Sequence, residues 1–250
     1  MPRCTALRAA STRRSRRGPP PGSPCRNPAR PDLPADPWPR LVVACRHAAL
    51  SVPPGTPGGG ERGCRVAKVI GGMTISLDGF VADEHGDSGA LYQDLAALHG
   101  TDYMDEMIAE AGAVVMGRRS FEMPEDPDTI ADTYEFQVPL FVVTSHPPAR
   151  HPRENDRLTF TFVTDGPESA VRQAKAAAGE RAVQIVGGAR LGTELLVAGL
   201  VDEVRVDVMP VFLGAGVRLF DDPRLAGVAL ERIGLTEVGQ RVSLRFRVLR

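Results

Sequence analysis

The stretch 183-VQIVGGARLGTELL-196 joins an apolar run to a helix-like pattern through two consecutive glycines, Gly187 and Gly188. Glycine lets the backbone approach another group closely, and a helix N-terminus offers unpaired N–H groups and a partial positive charge. These are the properties that hold a phosphate, although a tight turn without a ligand has the same sequence. The stretch therefore predicts a strand, a turn and a helix, and the rest of the chain must decide whether the turn binds anything.

Segments of strand and helix character alternate from about Ala67 onward, and about 184 residues fit one domain. We predict strands at 68–76, 113–117, 139–145, 159–163, 182–187 and 201–210, and a closing antiparallel pair near 228–238 and 241–249. Helices are predicted at 101–111, 167–178 and 189–199. In the second helix, Pro167 lies in the first turn beside Glu168, and Gly179 follows the last residue, which are common start and stop signals.

This alternation predicts the α/β class, with a central, mostly parallel mixed sheet, helices on both faces and a C-terminal antiparallel hairpin at the sheet edge. In such a sheet, ligands collect at the carboxyl ends of the strands. Three predicted strand ends carry sequence suited to a ligand: 117-GRRSFE-122, 144-TS-145 and the glycine pair. One cofactor lying across three neighbouring strand ends would account for all three.

The first 66 residues differ in composition from the remainder. They hold twelve Arg against three acidic residues, so this segment carries a charge of +9 and the remainder −10, for a total of −1. They also hold thirteen of the 22 prolines and all four cysteines, without a sustained apolar period. We predict that 1–66 is a disordered extension and that 67–250 forms the folded domain. An alternative start of translation at Val66 would also account for the segment.

The charge and cysteine patterns disfavour several classes of function. A nucleic-acid arm is disfavoured because prolines interrupt the basic segment and the folded part is acidic. The run 41-LVVACRHAAL-50 is too short to span a membrane. No C-x-x-C pair supports a metal site, and the absence of cysteine after Cys64 is compatible with a reducing cytoplasm. We therefore expect a cytoplasmic protein that binds no metal, membrane or nucleic acid.

Gly117, Arg118, Arg119 and Ser120 are the strongest candidates for binding an anion. Two arginines at the start of a helix are electrostatically unfavourable unless an anion lies nearby, and their guanidinium groups can bind a phosphate through two parallel hydrogen bonds. Thr144 and Ser145 end the next strand, and their hydroxyls can contact a nucleotide or simply cap the local backbone.

The first predicted strand ends in 74-TISLDGFVAD-83, where Asp78-Gly79 is also a common turn. Ser76, Asp78 and Asp83 can line the pocket where a substrate ring meets a cofactor, orienting a ring nitrogen or relaying a proton through water. The pattern leaves both interpretations open.

Taken in order, SLDGFVAD, VVMGRRSFE, FVVTS, IVGGARLGTELL and VDEVRVDVMPVFLGAGVRLF resemble the dihydrofolate-reductase-like superfamily. They are most similar to the reductase domain of the bifunctional deaminase-reductase of riboflavin biosynthesis, over roughly Lys68 to Arg250. The resemblance implies the dihydrofolate-reductase-like three-layer fold, NADPH as cofactor, hydride transfer to a C=N or carbonyl-type bond, and a homodimer.

The resemblance also implies roles for individual positions. Gly117 to Ser120 and Thr144-Ser145 would face the adenosine phosphate end of NADPH. The pyrophosphate would be held by Gly187, Gly188, Ala189, Arg190 and Leu191. Asp78 would lie near the nicotinamide as the catalytic candidate, and the substrate would meet Ser76, Asp78 and Phe80. Arginines at the adenosine end suggest NADPH over NADH, because they would neutralise a 2′-phosphate.

Two positions depart from the family pattern. A Glu that acts on the ribosylated substrate is replaced by Val186, and a basic residue after SLDG is replaced by Phe80. Both changes remove groups that would hold a phosphoribosyl-aminopyrimidine. The sequence therefore predicts an NADPH-dependent reductase of a small pyrimidine- or pterin-like heterocycle, with a non-catalytic nucleotide-binding regulatory module as the alternative.

Overall fold

The computed structural model describes residues 67–250, and the predictions made for 1–66 lie outside the described residues. The strands of the described part are β1 (Val69–Ser76), β2 (Phe80–Ala82), β3 (Ala111–Gly117), β4 (Leu140–Val143), β5 (Phe160–Val163), β6 (Ala182–Val186), β7 (Glu203–Met209), β8 (Val217–Arg218), β9 (Ala229–Val238) and β10 (Arg241–Leu249). Eight of them form one sheet in the order β5-β4-β3-β6-β1-β7-β10-β9, and β2 pairs with β8 separately.

The α-helices of the same region are α1 (Leu95–Leu98), α2 (Asp102–Glu110), α3 (Arg118–Phe121), α4 (Ile130–Thr133), α5 (Pro167–Ala178) and α6 (Ala189–Val197). The helix α5 shows why these segments are helical. Its buried residues, including Ala170, Val171, Ala174 and Ala178, recur at a spacing of three or four and form one apolar stripe. Gly179 follows at φ +64°, a left-handed conformation that glycine adopts without strain.

The parallel pairs run from β5 to β7, and β10 is antiparallel to both of its neighbours, β7 and β9. Two apolar clusters cover the two faces of the sheet. Val115 packs with residues of α5 and α6, whereas Val114 packs with Phe121 and Ile130 on the opposite face. Adjacent strand residues point to opposite faces, so the alternation of these two valines shows that helices cover the sheet on both sides.

The predicted α/β class, with its mostly parallel mixed sheet and C-terminal hairpin, is confirmed. Each predicted strand and helix is present, with ends that differ by one or two residues; for example, the strand predicted at 113–117 begins at Ala111. The single-turn helices α1, α3 and α4 and the short strands β2 and β8 were not predicted, because such segments are too short to show a period. None of the helices in residues 67–250 has the length and apolarity needed to cross a membrane.

Candidate functional site

The four chemically distinctive strand ends lie side by side, because β4, β3, β6 and β1 are consecutive in the sheet. In the β3–β4 pair, Gly117 is opposite Val143, directly before Thr144. On its other side, Met116 is opposite Val186, directly before the glycine pair. The structure therefore brings the three predicted cofactor segments to one edge, with the end of β1 completing the row.

The turn between β6 and α6 requires glycine. Gly187 has φ +70° and Gly188 has φ +77°, both in the left-handed region that L side chains rarely adopt. A Cβ atom at Gly187 would also collide with the side chain of Ser120. Two segments predicted to bind the same cofactor thus touch each other, because the absence of a side chain at Gly187 lets Ser120 pack against the turn.

The helix α6 begins directly after this turn. Gly188 is its N-cap and has no side chain with which to cap the first N–H groups. Ala189 and Leu191 are buried, so only their backbone can face a ligand, whereas the side chain of Arg190 is exposed and pairs with Glu194 at 3.1 Å. The predicted pyrophosphate contacts are therefore backbone N–H groups plus one exposed guanidinium.

The arginine pair lies on α3, a single turn that follows β3. Phe121 is buried and makes edge-to-face contacts with Phe160 and Phe162, which fix the turn against the sheet. Arg118 and Arg119 are exposed, and Arg118 lies 3.5 Å from Glu122 in an i,i+4 pair. Such an exposed pair is weak, so both guanidinium groups are able to turn toward an anion.

Thr144 and Ser145 lie at this edge, but their hydroxyls have local partners. Thr144 Oγ1 accepts a hydrogen bond from the His146 amide at 3.1 Å and donates to the His146 carbonyl at 3.0 Å. Ser145 Oγ lies 2.8 Å from His146 Nδ1. These contacts favour the local capping interpretation, and a nucleotide contact by either hydroxyl stays a prediction.

The end of β1 is held by Asp78. Its Oδ1 accepts hydrogen bonds from Ser76 Oγ at 2.5 Å and the Leu213 amide at 3.2 Å, and its Oδ2 accepts one from the Gly214 amide at 2.8 Å. The Ser76 hydroxyl, with the two amides, lowers the pKa of Asp78 to about 2. A carboxylate that is ionised and hydrogen-bonded in this way is poorly suited to relay a proton near neutral pH. Its predicted catalytic role stays untested.

Ser76 and Phe80, the other predicted substrate residues, are both buried. The Ser76 hydroxyl also accepts a hydrogen bond from the Phe80 amide at 3.0 Å, which closes the turn. The guanidinium of Arg218 lies 4.4 Å from the centre of the Phe80 ring and donates to the Asp78 carbonyl at 3.2 Å. Both side chains therefore shape the end of β1, and direct contact of either with a substrate stays a prediction.

A buried polar cluster around Arg241 was missed from the sequence. Its guanidinium donates to Thr74 Oγ1 at 2.8 Å, to Asp207 Oδ2 at 3.1 Å and to the Asp94 carboxylate at 2.8 and 3.1 Å. Tyr103 donates to the same Asp207 oxygen at 2.7 Å, and burial together with Asp207 raises the pKa of Tyr103 to about 12. The only available signal was the alternation of polar and apolar residues in β7 and β10, which normally indicates an exposed face.

Comparison with protein families shows that residues 67–244 match the model of the RibD C-terminal domain. Among curated proteins, YyaP of Bacillus subtilis (strain 168), described as uncharacterised, is 28% identical over 181 residues, which are 70% of this chain and 88% of the relative.

Solved structures that share the fold include two proteins of riboflavin biosynthesis or related description. The putative riboflavin biosynthesis protein from Shewanella sp. PV-4 superposes with a TM-score of 0.60 at 20% identity, over 73% of this chain and 99% of that one. The diaminohydroxyphosphoribosylaminopyrimidine deaminase/5-amino-6-(5-phosphoribosylamino)uracil reductase from Thermotoga maritima gives a TM-score of 0.53 at 16% identity, over 74% of this chain and 57% of that one. Given the extent of the family match, this chain belongs to the RibD C-terminal domain family.

Proposed function

We propose that this protein is an NADPH-dependent reductase of a small pyrimidine- or pterin-like heterocycle. The observation that carries the proposal is the contact between Ser120 and Gly187, because it joins the arginine turn and the glycine turn into one continuous surface. Membership of a family whose structural relatives include a uracil reductase supports a reductase in particular.

The residues at this surface fit a dinucleotide. Backbone N–H groups at the start of α6 suit a pyrophosphate, and the exposed guanidinium groups of Arg118 and Arg119 suit a 2′-phosphate. Bound NADPH would supply the hydride. The chain would contribute binding and orientation, since Gly187 and Gly188 allow backbone approach and Ser120 adds a hydroxyl beside them.

The substrate end favours a compact heterocycle over a ribosylated one. Val186 lies directly before the glycine turn and packs with the apolar cluster that includes Met116. The apolar side chain of Val186, in the place where the family pattern has a Glu, offers no hydrogen bond to a ribose hydroxyl.

The first test is calorimetric titration of the full chain with NADPH and with NADH. We expect tighter binding of NADPH, and we expect Arg118→Ala and Arg119→Ala to weaken NADPH binding much more than NADH binding. Arg157→Ala is the matched control, because Arg157 is an exposed arginine just before β5, at the opposite end of the strands. Equal losses for both cofactors, or an equal loss in the control, would reject the assignment of the two arginines.

Turnover separates the reductase from a non-catalytic nucleotide-binding module. Loss of NADPH absorbance is followed with 5-amino-6-(5-phosphoribosylamino)uracil, dihydrofolate and unribosylated dihydropterins. Consumption that depends on one of these substrates supports a reductase. Tight NADPH binding without any consumption would favour the regulatory module.

Homodimerisation is part of the same proposal and rests on the family resemblance. The edge strand β9 exposes three large apolar side chains, Leu230, Ile233 and Leu235, which is consistent with a covered edge. Light scattering coupled to size-exclusion chromatography should give twice the mass of the 26.8 kDa chain. A monomer at micromolar concentration would contradict the expectation.

A further inference from the structure

The chain between β7 and β9 forms a loop that is tied back to the end of β1. Beyond the main sheet, β2 and β8 pair with each other, with Phe80 opposite Arg218 and Ala82 opposite Val217. The Leu77 amide donates to the Val211 carbonyl at 2.8 Å, and the Leu219 amide donates to the Gly79 carbonyl at 3.2 Å. These contacts hold the two ends of the loop, and its middle, residues 211–216, depends on other contacts.

Asp78 supplies those contacts. Within the described residues, the amides of Leu213 and Gly214 have the Asp78 carboxylate as their hydrogen-bond acceptor, at 3.2 and 2.8 Å. The buried Ser76 hydroxyl donates to the same carboxylate and fixes its direction. A carboxylate that accepts several N–H and O–H bonds is a strong local constraint, because charge-assisted hydrogen bonds are about twice as strong as neutral ones.

The backbone of the loop is shaped for this position. Gly214 has φ +74° and Gly216 has φ +134°, so both favour glycine. A Cβ atom at Gly216 would collide with the Ala82 carbonyl. The loop therefore lies in close contact with the segment that follows Asp78, and a side chain at Gly216 would displace it.

The far end of the loop reaches the proposed cofactor surface. Thr193 of α6 donates to the Leu219 carbonyl at 3.3 Å. Leu219 and Phe220 also line a small cavity of about 20 Å³ together with Gly187 and Gly188. Contacts thus run from Asp78 through the loop to α6, and the cavity separates the far end of the loop from the glycine turn.

Large apolar side chains on this loop and its anchor face solvent. Phe212 is 74% exposed and Leu77 is 58% exposed, beside the amides that Asp78 holds. Burying part of this exposed ring against another apolar surface would be favourable. A flat heterocyclic ring bound at the carboxyl edge is a surface of suitable shape, because aromatic faces stack.

We propose that Asp78 is a positioning residue that latches residues 211–216 to the end of β1, so that Phe212 forms a fixed wall for a flat substrate ring. The identity of the ring rests on the proposed function, whereas the latch does not. In this role the carboxylate holds the wall through two amides and transfers no proton. Asp78 therefore acts on substrate binding and leaves cofactor binding unchanged.

Amide hydrogen exchange of the full chain, followed by NMR without any ligand, tests the latch. We expect the Leu213 and Gly214 amides to be protected in the wild-type protein. In Asp78→Asn, at least one of them should exchange about tenfold to a hundredfold faster, since hydrogen bonds to a charged group are stronger than neutral ones. Asp222→Asn is the matched control, because Asp222 also accepts a backbone N–H bond in a nearby turn, from Arg224 at 2.9 Å.

The pH dependence gives a second measurement that needs no variant. Because the pKa of Asp78 is about 2, protection of the two amides, corrected for intrinsic exchange, should be constant between about pH 5 and 8. Unprotected amides in the wild-type protein, a titration within that window, or unchanged exchange in Asp78→Asn would each overturn the latch.

Binding of a fluorescent pterin, 6,7-dimethylpterin, to the NADP⁺-saturated full chain tests the wall. Phe212→Ala should weaken pterin binding about twofold to tenfold, the range of an aromatic contact, and Asp78→Asn should weaken it similarly. Neither variant should change NADP⁺ affinity, and Phe212→Ala should leave the urea midpoint unchanged. No pterin binding by the wild-type protein, or unchanged binding by Phe212→Ala, would reject the wall. If the wild-type protein does not bind NADP⁺ at all, the proposed function is rejected instead.

Discussion

Replacing Arg241 by methionine is expected to destabilise the domain severely. The Arg241 side chain is 3% exposed, and its guanidinium donates to two carboxylates, one hydroxyl and the Leu91 carbonyl. Methionine keeps an unbranched apolar stem but is shorter than arginine, and it removes the charge and every donor. The carboxylates of Asp94 and Asp207, whose side chains are 22% and 12% exposed, would then lose the cation that pairs with both of them.

The expected loss is about 3–5 kcal/mol, the usual cost of removing one partner from a buried ion pair. A domain of this size loses about 2–4 °C in Tm for each kcal/mol, so Tm should fall by about 6–20 °C. The matched control is Arg247→Met on the same strand, where Arg247 pairs with Glu231 in an exposed ion pair. That pair should contribute about 0–1 kcal/mol.

Urea unfolding of the full chain, followed by circular dichroism, measures both variants. A second variant, Arg241→Met with Asp207→Asn, should lose less than the sum of the two single changes, because it removes the uncompensated charge together with the cation. The reasoning is refuted if Arg241→Met loses no more free energy of unfolding than Arg247→Met does.

Three further outcomes are expected. Gly187→Ala should lower the free energy of unfolding by about 1–2 kcal/mol because of its left-handed conformation, and by more because the new Cβ collides with Ser120. Gly192→Ala in α6 is the control: its Cβ would meet open space, so this change should be neutral or stabilising by up to about 1 kcal/mol. Gly72→Ala should unfold at lower urea, because its Cβ would lie 2.6 Å from a backbone carbonyl of β7. Arg241 lowers the pKa of Asp94, so its contribution is present above about pH 4 and lost as pH falls further. The stability difference between the wild-type protein and Arg241→Met should therefore shrink in acid, as urea unfolding at several pH values will show.

Periodicity predicted most of the fold. The stripe in α5 and the apolar runs of β3 and β6 have a length and spacing that distinguish helix from strand. The order of the strands could not be predicted this way, because β6 lies between β3 and β1 although it follows both in the chain. The position of β6 beside β3 brings Gly187 into contact with Ser120. The glycine turn was therefore predictable from the sequence, whereas its contact with Ser120 was not.

The candidate site shows the same division. Turn chemistry located Asp78 at a strand end, but its partners, Leu213 and Gly214, are 135 and 136 residues away in the chain. No local pattern connects these positions. Sequence reasoning can therefore name a polar residue at a ligand-binding edge, whereas its role depends on which distant amides the fold brings to its carboxylate.

The buried polar cluster explains why alternation was misleading in β7 and β10. Both strands alternate, and a slip of one residue between them would turn every arginine of β10 toward the apolar cluster under α5 and α6. A slip of two residues keeps all faces correct, so apolar burial alone does not exclude it. A slip of two residues in one direction would place Arg241 opposite Asp207 and Arg245 opposite Glu203, so these two pairs do not exclude it either. The contacts of Arg241 with Thr74 and Asp94, which lie outside β7, do hold β10 in the observed register. We infer that the charged face, covered by Tyr103 and Glu110 of α2, selects the register at the cost of burying charge. If Arg241→Met changes which β10 amides are protected from hydrogen exchange, and not only the overall level of protection, the charged face has this role. An unchanged pattern of protected β10 amides would exclude it.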